Sequence, residues 1–349
     1  ILDYYVLKII IISHQGKIFM SKYDVYGIGN ALVDMEFEVT PGFLDKMKVD
    51  KGLMTLVDQE RQTELLNNLD GVIHKRSCGG SAANTIIGVS QYGGNAFYSC
   101  KVANDETGEF YYTDLIGHGV KTNLEGDRKD GTTGKCMVLV TPDADRTMNT
   151  FLGITETFSV EELREEEISN SKYVYLEGYL VTSPTGKPAA IKAREIAEKA
   201  GVKTALTLSD PNMVNFFAEG LSEMIGSGVD LLFCNEDEAM AYTKAGTIEE
   251  AAEGLKKVAK TFAITLGADG ALVFDGNKSF RVATDNVKPV DSNGAGDLFA
   301  GSFLYAITQG KGFEEAAKLA CKAASVLVTQ FGARLSTEQV SQIKKEVLG

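Results

Sequence analysis

The stretch Asp291-Ser292-Asn293-Gly294-Ala295-Gly296-Asp297-Leu298-Phe299-Ala300-Gly301 decides the reading of this chain. A turn rich in Gly and Asn runs into a segment that is apolar on nearly every face, which predicts a buried helix over 294–309. A helix buried up to its N-terminus leaves several backbone N–H groups without partners. Together with the helix dipole they make an anion site. Gly294, Ala295 and Gly296 have little or no side chain to obstruct a phosphate. Asp297 stands beside that site. A carboxylate next to a phosphate is repulsive, and proton abstraction from an attacking hydroxyl accounts for it. A lone Asp there would otherwise be a helix-start residue favoured by the dipole. Asp291 is suited to ordering the loop, a cation, or both.

Working outward, short apolar runs alternate with amphipathic ones. Strands are predicted at Asp24–Gly29, Ala96–Val102, Met137–Thr141, Tyr173–Glu177, Thr204–Leu208, Asp230–Cys234, Phe262–Leu266 and Ala271–Phe274. Helices are predicted over 81–92, 106–118, 186–200, 235–244, 249–260, 294–309, 313–330 and 336–347. This order implies an α/β fold with a mainly parallel central sheet, covered by helices on both faces and taking ligands beyond the carboxyl ends of its strands. Residues 31–58 and about 127–152 break the rhythm with strand-like runs and no helix, and are expected to pair as a small β lobe outside the main sheet. The acidic run Glu161–Glu167 reads as a solvated helix start or face.

The familiar phosphate loops are absent. Gly27-Ile28-Gly29-Asn30-Ala31-Leu32 lacks the third glycine of a dinucleotide fingerprint. Gly134-Lys135, Gly186-Lys187 and Gly310-Lys311 all fail the Walker A pattern.

Composition narrows the rest. The 349 residues carry 35 Lys+Arg against 48 Asp+Glu, a net charge of −13 that argues against a nucleic-acid partner. No apolar run is long enough to span a bilayer, so no membrane association is expected. Five separate cysteines without a CxxC pair point to a reduced, cytoplasmic setting, and three scattered histidines offer no zinc site. Residues 1–19 are expected to be a leader or extension, with a natural start at Met20 and a single domain over 20–349.

The loop at 291–297 resembles the DTxGAGD signature of the PfkB carbohydrate-kinase (ribokinase-like) family, with Ser292 for the usual Thr. Gly79-Gly80-Ser81-Ala82-Ala83-Asn84 with Gly93-Gly94 resembles the family's N-terminal glycine signature. Gly29-Asn30-Ala31-Leu32-Val33-Asp34 is similar to its opening strand, Asn235-Glu236-Asp237-Glu238 to its NxxE element, and Thr265-Leu266-Gly267-Ala268-Asp269-Gly270 to its nucleotide-loop segment. The matches run in family order from about residue 22 to the end.

The resemblance implies a three-layer α/β/α sandwich with a small β lid formed by about 31–58 and 127–152, and transfer of the ATP γ-phosphate to an alcohol. It implies Asp297 as general base and the backbone at Gly294, Ala295 and Gly296 as anion hole. Asn30, Asp34, Gly79, Gly80, Ser81, Asn84 and Tyr179 would line the acceptor. Asn235, Thr265, Gly267, Gly270, Asp291 and Ser292 would serve the nucleotide. Asn235 and Glu238 would position Mg²⁺ through water, although Asn-x-x-Glu also fits a helix capping box. Many members hold a monovalent cation such as K⁺, for which Asp291, Asn293, Gly332 and Ser336 are the candidates. Gly29 and Gly79 are the expected hinges of the lid, and the assembly is a monomer or a homodimer through lid strands.

The acceptor is a nucleoside or a free sugar. Asp291-Ser292-Asn293-Gly294, the segment Leu208–Phe217 and Tyr179 after Gly178 resemble adenosine kinases, and Tyr179 would stack on a flat base. Asn212 departs from that branch, and Asp210-Pro211-Asn212 is similar to fructokinases, leaving a fructokinase- or ribokinase-type enzyme as the alternative.

Overall fold

The computed structural model describes residues 21–52, 54–69, 75–142 and 146–349; the expected leader over 1–19 lies outside the described residues, as do His14 and His74. Nine strands form the main sheet. From one edge the order is Ser279–Val282, Ala271–Phe274, Ala259–Thr265, Val229–Asn235, Lys203–Thr207, Ser171–Glu177, Tyr23–Ile28, Ala96–Ser99 and Lys121–Thr122. All pairings are parallel except the two at the Ser279–Val282 edge, which are antiparallel.

The central strands are apolar on both faces because both are covered. Their side chains alternate between two cores. Val25, Tyr173, Tyr175, Leu231 and Phe233 enter the core shared with the helices Ser81–Gln91, Ala295–Thr308 and Phe313–Leu327. Tyr26, Val174, Leu176, Leu232 and Cys234 enter the other, against Gly186–Ala200, Pro211–Ile225 and Ile248–Leu255. All five cysteines are buried as thiols, and no helix among the described residues is long and apolar enough to cross a membrane.

A second sheet has the order Met54–Leu56, Arg146–Gly153, Thr133–Val140, Leu32–Glu38, Lys75–Gly79. Both strand-rich interruptions contribute to it, and so does Lys75–Gly79, which lies outside them. Period-two alternation again sorts the side chains. Val33, Met35, Phe37, Met137 and Leu139 face the first core. Leu32, Asp34, Cys136 and Val138 face a cavity between the two sheets.

Several expectations need correction. The interruption 31–58 contains a helix, Pro41–Met47, begun by a Thr40 cap and a proline at its first position. Gln59–Asn67 and Pro211–Ile225 are also helices; Asp210 caps the latter through a 2.7 Å bond to the Asn212 N–H. The helix expected over 249–260 stops at Leu255, because the chain must turn at once into the strand Ala259–Thr265. In the acidic run, Glu162 is buried rather than solvated and pairs with Lys101 at 3.1 Å.

Candidate functional site

The carboxyl ends of the main strands, the starts of two helices and the inner face of the second sheet enclose a cavity of about 840 Å³. Gly294 begins the helix Ala295–Thr308 with φ +74°, a left-handed conformation that glycine adopts without steric cost. Its α-carbon sits against Ala333, where a Cβ would come within 2.9 Å of the Ala333 α-carbon. Gly296 is exposed to the cavity, with open space where a side chain would stand. The Ala295 N–H donates to the Ser292 carbonyl at 3.2 Å. The expected three-donor anion hole is therefore reduced at its middle position, because the loop uses that N–H for its own turn.

Asp297, in the first turn of this helix, faces the cavity. Ser81 Oγ donates to Asp297 Oδ1 at 2.6 Å and Asn84 Nδ2 to Oδ2 at 3.1 Å. Burial raises its pKa to about 6, while those two donors pull it down. Both come from the helix Ser81–Gln91, which starts at Gly80 with φ +100°. Gly80 lies so close to the Asn30 carbonyl that a side chain would collide with it. Gly79 does not line the cavity itself; it leaves room for the Asp34 carboxylate, which does.

Glu177 is the functional candidate that sequence reasoning passed over. It is buried at the end of the strand Ser171–Glu177 and lines the cavity. Its carboxylate accepts from the Ala82 N–H at 2.8 Å, the Asn30 N–H at 3.2 Å and Asn30 Nδ2 at 3.0 Å, joining two loops of the site. Burial raises its pKa to about 7 against the pull of those donors, with the Asp297 charge adding to the rise. The signal was available: a lone carboxylate directly after the apolar run Tyr173–Leu176. Tyr179, just beyond it, is half-buried and lines the cavity, and burial pushes its pKa well up.

Asn235 and Glu238 form a complete capping box. Asn235 donates from its N–H at 3.0 Å and from Nδ2 at 2.8 Å to the Glu238 carboxylate, and the Glu238 N–H donates to Asn235 Oδ1 at 2.8 Å. The capping function that the sequence also allowed is thus present, and both residues still line the cavity. Burial raises the Glu238 pKa to about 7, with nearby Asp210, Asp237 and Asp297 contributing. A buried carboxylate among like charges is suited to a divalent cation. The mutual bonding of the pair fits contact through the ion's water shell.

Thr265, Gly267, Ser292 and Asn293 line the cavity. Gly270 does not; it turns the chain against Val282 and Ala283. Asp291 is buried and orders its loop, accepting from the Asn293 N–H at 3.0 Å and the Gly332 N–H at 2.9 Å. Ser336 is exposed and caps the helix Thr337–Leu348, accepting from the Gln339 N–H.

Small residues at a helix start and a carboxylate facing the same cavity, between a large and a small sheet, suit a phosphotransferase that acts on a hydroxyl group. The sequence profile described as pfkB family carbohydrate kinase matches residues 55–340, and the chain belongs to that family. An adenosine kinase from Sinorhizobium meliloti of known structure is 36% identical, covering 93% of this chain and 99% of that one with a TM-score of 0.85. A probable sugar kinase from Rhizobium etli is 33% identical, covering 94% and 99%, with a TM-score of 0.86. Adenosine kinase 1 of Arabidopsis thaliana is 27% identical over 88% of this chain and 94% of its own length. The fold is ribokinase-like, and the family uses ATP as phosphoryl donor.

Proposed function

We propose that the acceptor is adenosine or a closely related nucleoside, phosphorylated at its primary hydroxyl to the 5′-monophosphate. The observation that carries this reading is the apolar wall of the cavity. Leu32, Cys136, Val138, Met148 and Leu152 of the second sheet, with Tyr179 opposite the sheet ends, line the same space as Asp34 and Asn84. A flat purine has an apolar face to bury there, whereas a free sugar has hydroxyls all round and would leave them unbonded.

In this reading Asp34 accepts from the ribose hydroxyls, which a carboxylate can do twice. Asn30, Ser81 and Asn84, with the backbone at Gly80, complete that end. Glu177 fixes Asn30 and the start of the helix carrying Ser81 and Asn84. Asp297 takes the proton as the acceptor oxygen attacks the γ-phosphorus, the bond to the β–γ bridging oxygen breaks, and ADP leaves. Backbone N–H groups at Gly294 and Gly296 meet the charge of the transferring group. Asn235 and Glu238 would hold water-bound Mg²⁺, which when present neutralises phosphate charge. Thr265, Gly267 and Ser292 lie toward the nucleotide. Asp291, Asn293 and Gly332 would be the residues to hold a monovalent cation such as K⁺, which would supply positive charge beside the loop. The second sheet acts as a lid over the acceptor. The product returns a purine nucleoside to the nucleotide pool in the cytoplasm.

The test is ADP release with Mg-ATP on adenosine, inosine, ribose and fructose. Turnover on adenosine far above the sugars is the expected result. Turnover on ribose or fructose alone would overturn it in favour of a sugar kinase.

A further inference from the structure

Gly332, Ala333 and Arg334 are consecutive, and they contact the segments that support both ends of the cavity. Gly332 donates to Asp291 and Ala333 packs under Gly294, at the phosphate end. Arg334 reaches the other way. One guanidinium nitrogen donates to Asp114 Oδ2 at 2.9 Å; the other donates to the Cys78 carbonyl and meets Cys78 Sγ at 2.9 Å. Asp114 Oδ2 also accepts from the Cys78 N–H at 2.8 Å. One ion pair therefore holds both main-chain polar groups of Cys78.

The position of Cys78 gives this pair its consequence. Cys78 lies in the second-sheet strand Lys75–Gly79, and Asp114 belongs to the helix Glu106–Gly117 that packs against that strand, whereas Arg334 comes from the segment following the main-core helix Phe313–Leu327. The next residue, Gly79, lies against the Asp34 carboxylate, and Gly80 starts the helix that carries Ser81 and Asn84. Withdrawing a guanidinium from water is costly, and an apolar side chain would fill the same space without that cost. What an apolar residue could not supply is the two-pronged donor geometry that fixes a carbonyl and a carboxylate at once.

The geometry points to Arg334 as a positioning residue for phosphoryl transfer. It holds the Cys78–Gly80 turn, and with it the acceptor-side groups, in register with the loop 291–296 that faces the phosphate. It touches neither substrate. The inference rests on the acceptor lying at Asp34 and the phosphate at 294–296. Loss of the fork frees the acceptor end, while the Asp291 bond to Gly332 still holds the phosphate end.

The test is steady-state kinetics of R334K and D114N, run beside the wild type and D297N on adenosine and ribose, with thermal midpoints. Lysine keeps the charge but lacks the planar two-nitrogen fork that holds Asp114 and the Cys78 carbonyl in one fixed geometry. R334K is expected to raise the acceptor KM and to lower kcat/KM for the acceptor by about tenfold or more, with KM for ATP changed less than about twofold. D114N moves the same way by less, and the double variant is no worse than R334K, because the two act as one unit. A lower kcat with both KM values unchanged would indicate lost folded enzyme and overturn the proposal, as would wild-type kinetics in R334K. An active D297N would instead overturn the site reading on which the proposal rests.

Discussion

At the residue scale the site is a contest between burial and charge. Asp297, with a pKa raised to about 6, must be ionised to accept a proton. Turnover is therefore expected to fall as pH drops through about 6, and a flat kcat–pH profile down to pH 5 would contradict Asp297 as base. Asp297→Asn is expected to lower kcat by roughly 10²–10⁴-fold with the fold intact. The same raised pKa costs stability. The folded state binds the proton more tightly than the unfolded state, so the penalty is absent at low pH and grows as pH rises from about 4 to about 6. D297N is thus expected to be more stable than the wild type by about 1 kcal/mol at pH 8, with the difference vanishing near pH 4. Chemical denaturation at the two pH values checks this. The sequence indicated Asp297 through its neighbours, but not the Ser81 and Asn84 donors that orient it, because those come from residues more than two hundred positions away.

At the scale of elements, the start of the helix Ala295–Thr308 separates two kinds of glycine. At Gly296 nothing lies within 4 Å of an added Cβ. Gly296→Ala is therefore expected to leave stability unchanged or to raise it by about 0.5–1 kcal/mol, since alanine is the better helix former. It should nevertheless raise KM for ATP by narrowing the phosphate face. Gly294→Ala meets Ala333 and a φ of +74°, and is expected to destabilise by about 1–3 kcal/mol. Equal stability of the two variants, read by denaturant unfolding, would contradict the packing described. The second sheet carries its own test. Val138 is buried on the cavity wall, and Val138→Thr swaps a methyl for a hydroxyl at constant shape. It is expected to raise KM for adenosine several-fold, by about 1–2 kcal/mol of lost binding, without affecting a sugar acceptor to the same degree. Equal effects on both acceptors would argue against a purine at this wall.

At the scale of the whole molecule, the cavity lies between a body of nine strands and a sheet of five. Closure of the small sheet on adenosine is expected to reduce the radius of gyration in small-angle scattering, and superimposable curves with and without adenosine would count against a lid. Of the expected hinges, Gly29 is closely packed by Glu177 and Ala82, leaving little room to swivel. The unusual backbone lies one residue beyond the other, at Gly80 with φ +100°. Close packing is a property of neighbours in space, so the spacing of glycines along the chain could not tell a hinge from a tight contact.

The sequence by itself missed the short edge strands Lys121–Thr122 and Ser279–Val282, but located seven of the nine main-sheet strands found among the described residues, the buried helix at 295–308 and the family. These rest on local signals: apolar runs of the right length, small residues at a helix start, and motifs whose residues lie within one turn of each other. It also marked the two interruptions as strand-forming, because period-two alternation survives in either sheet. Tertiary packing alone set how those strands join Lys75–Gly79 to face the main sheet, and brought Glu177 to the cavity. It alone gave Ser336 to a helix cap, and tied Arg334 to Asp114 and Cys78. Each of these depends on partners far apart in the chain. A single side chain read in sequence carries its chemistry but not the neighbour that uses it.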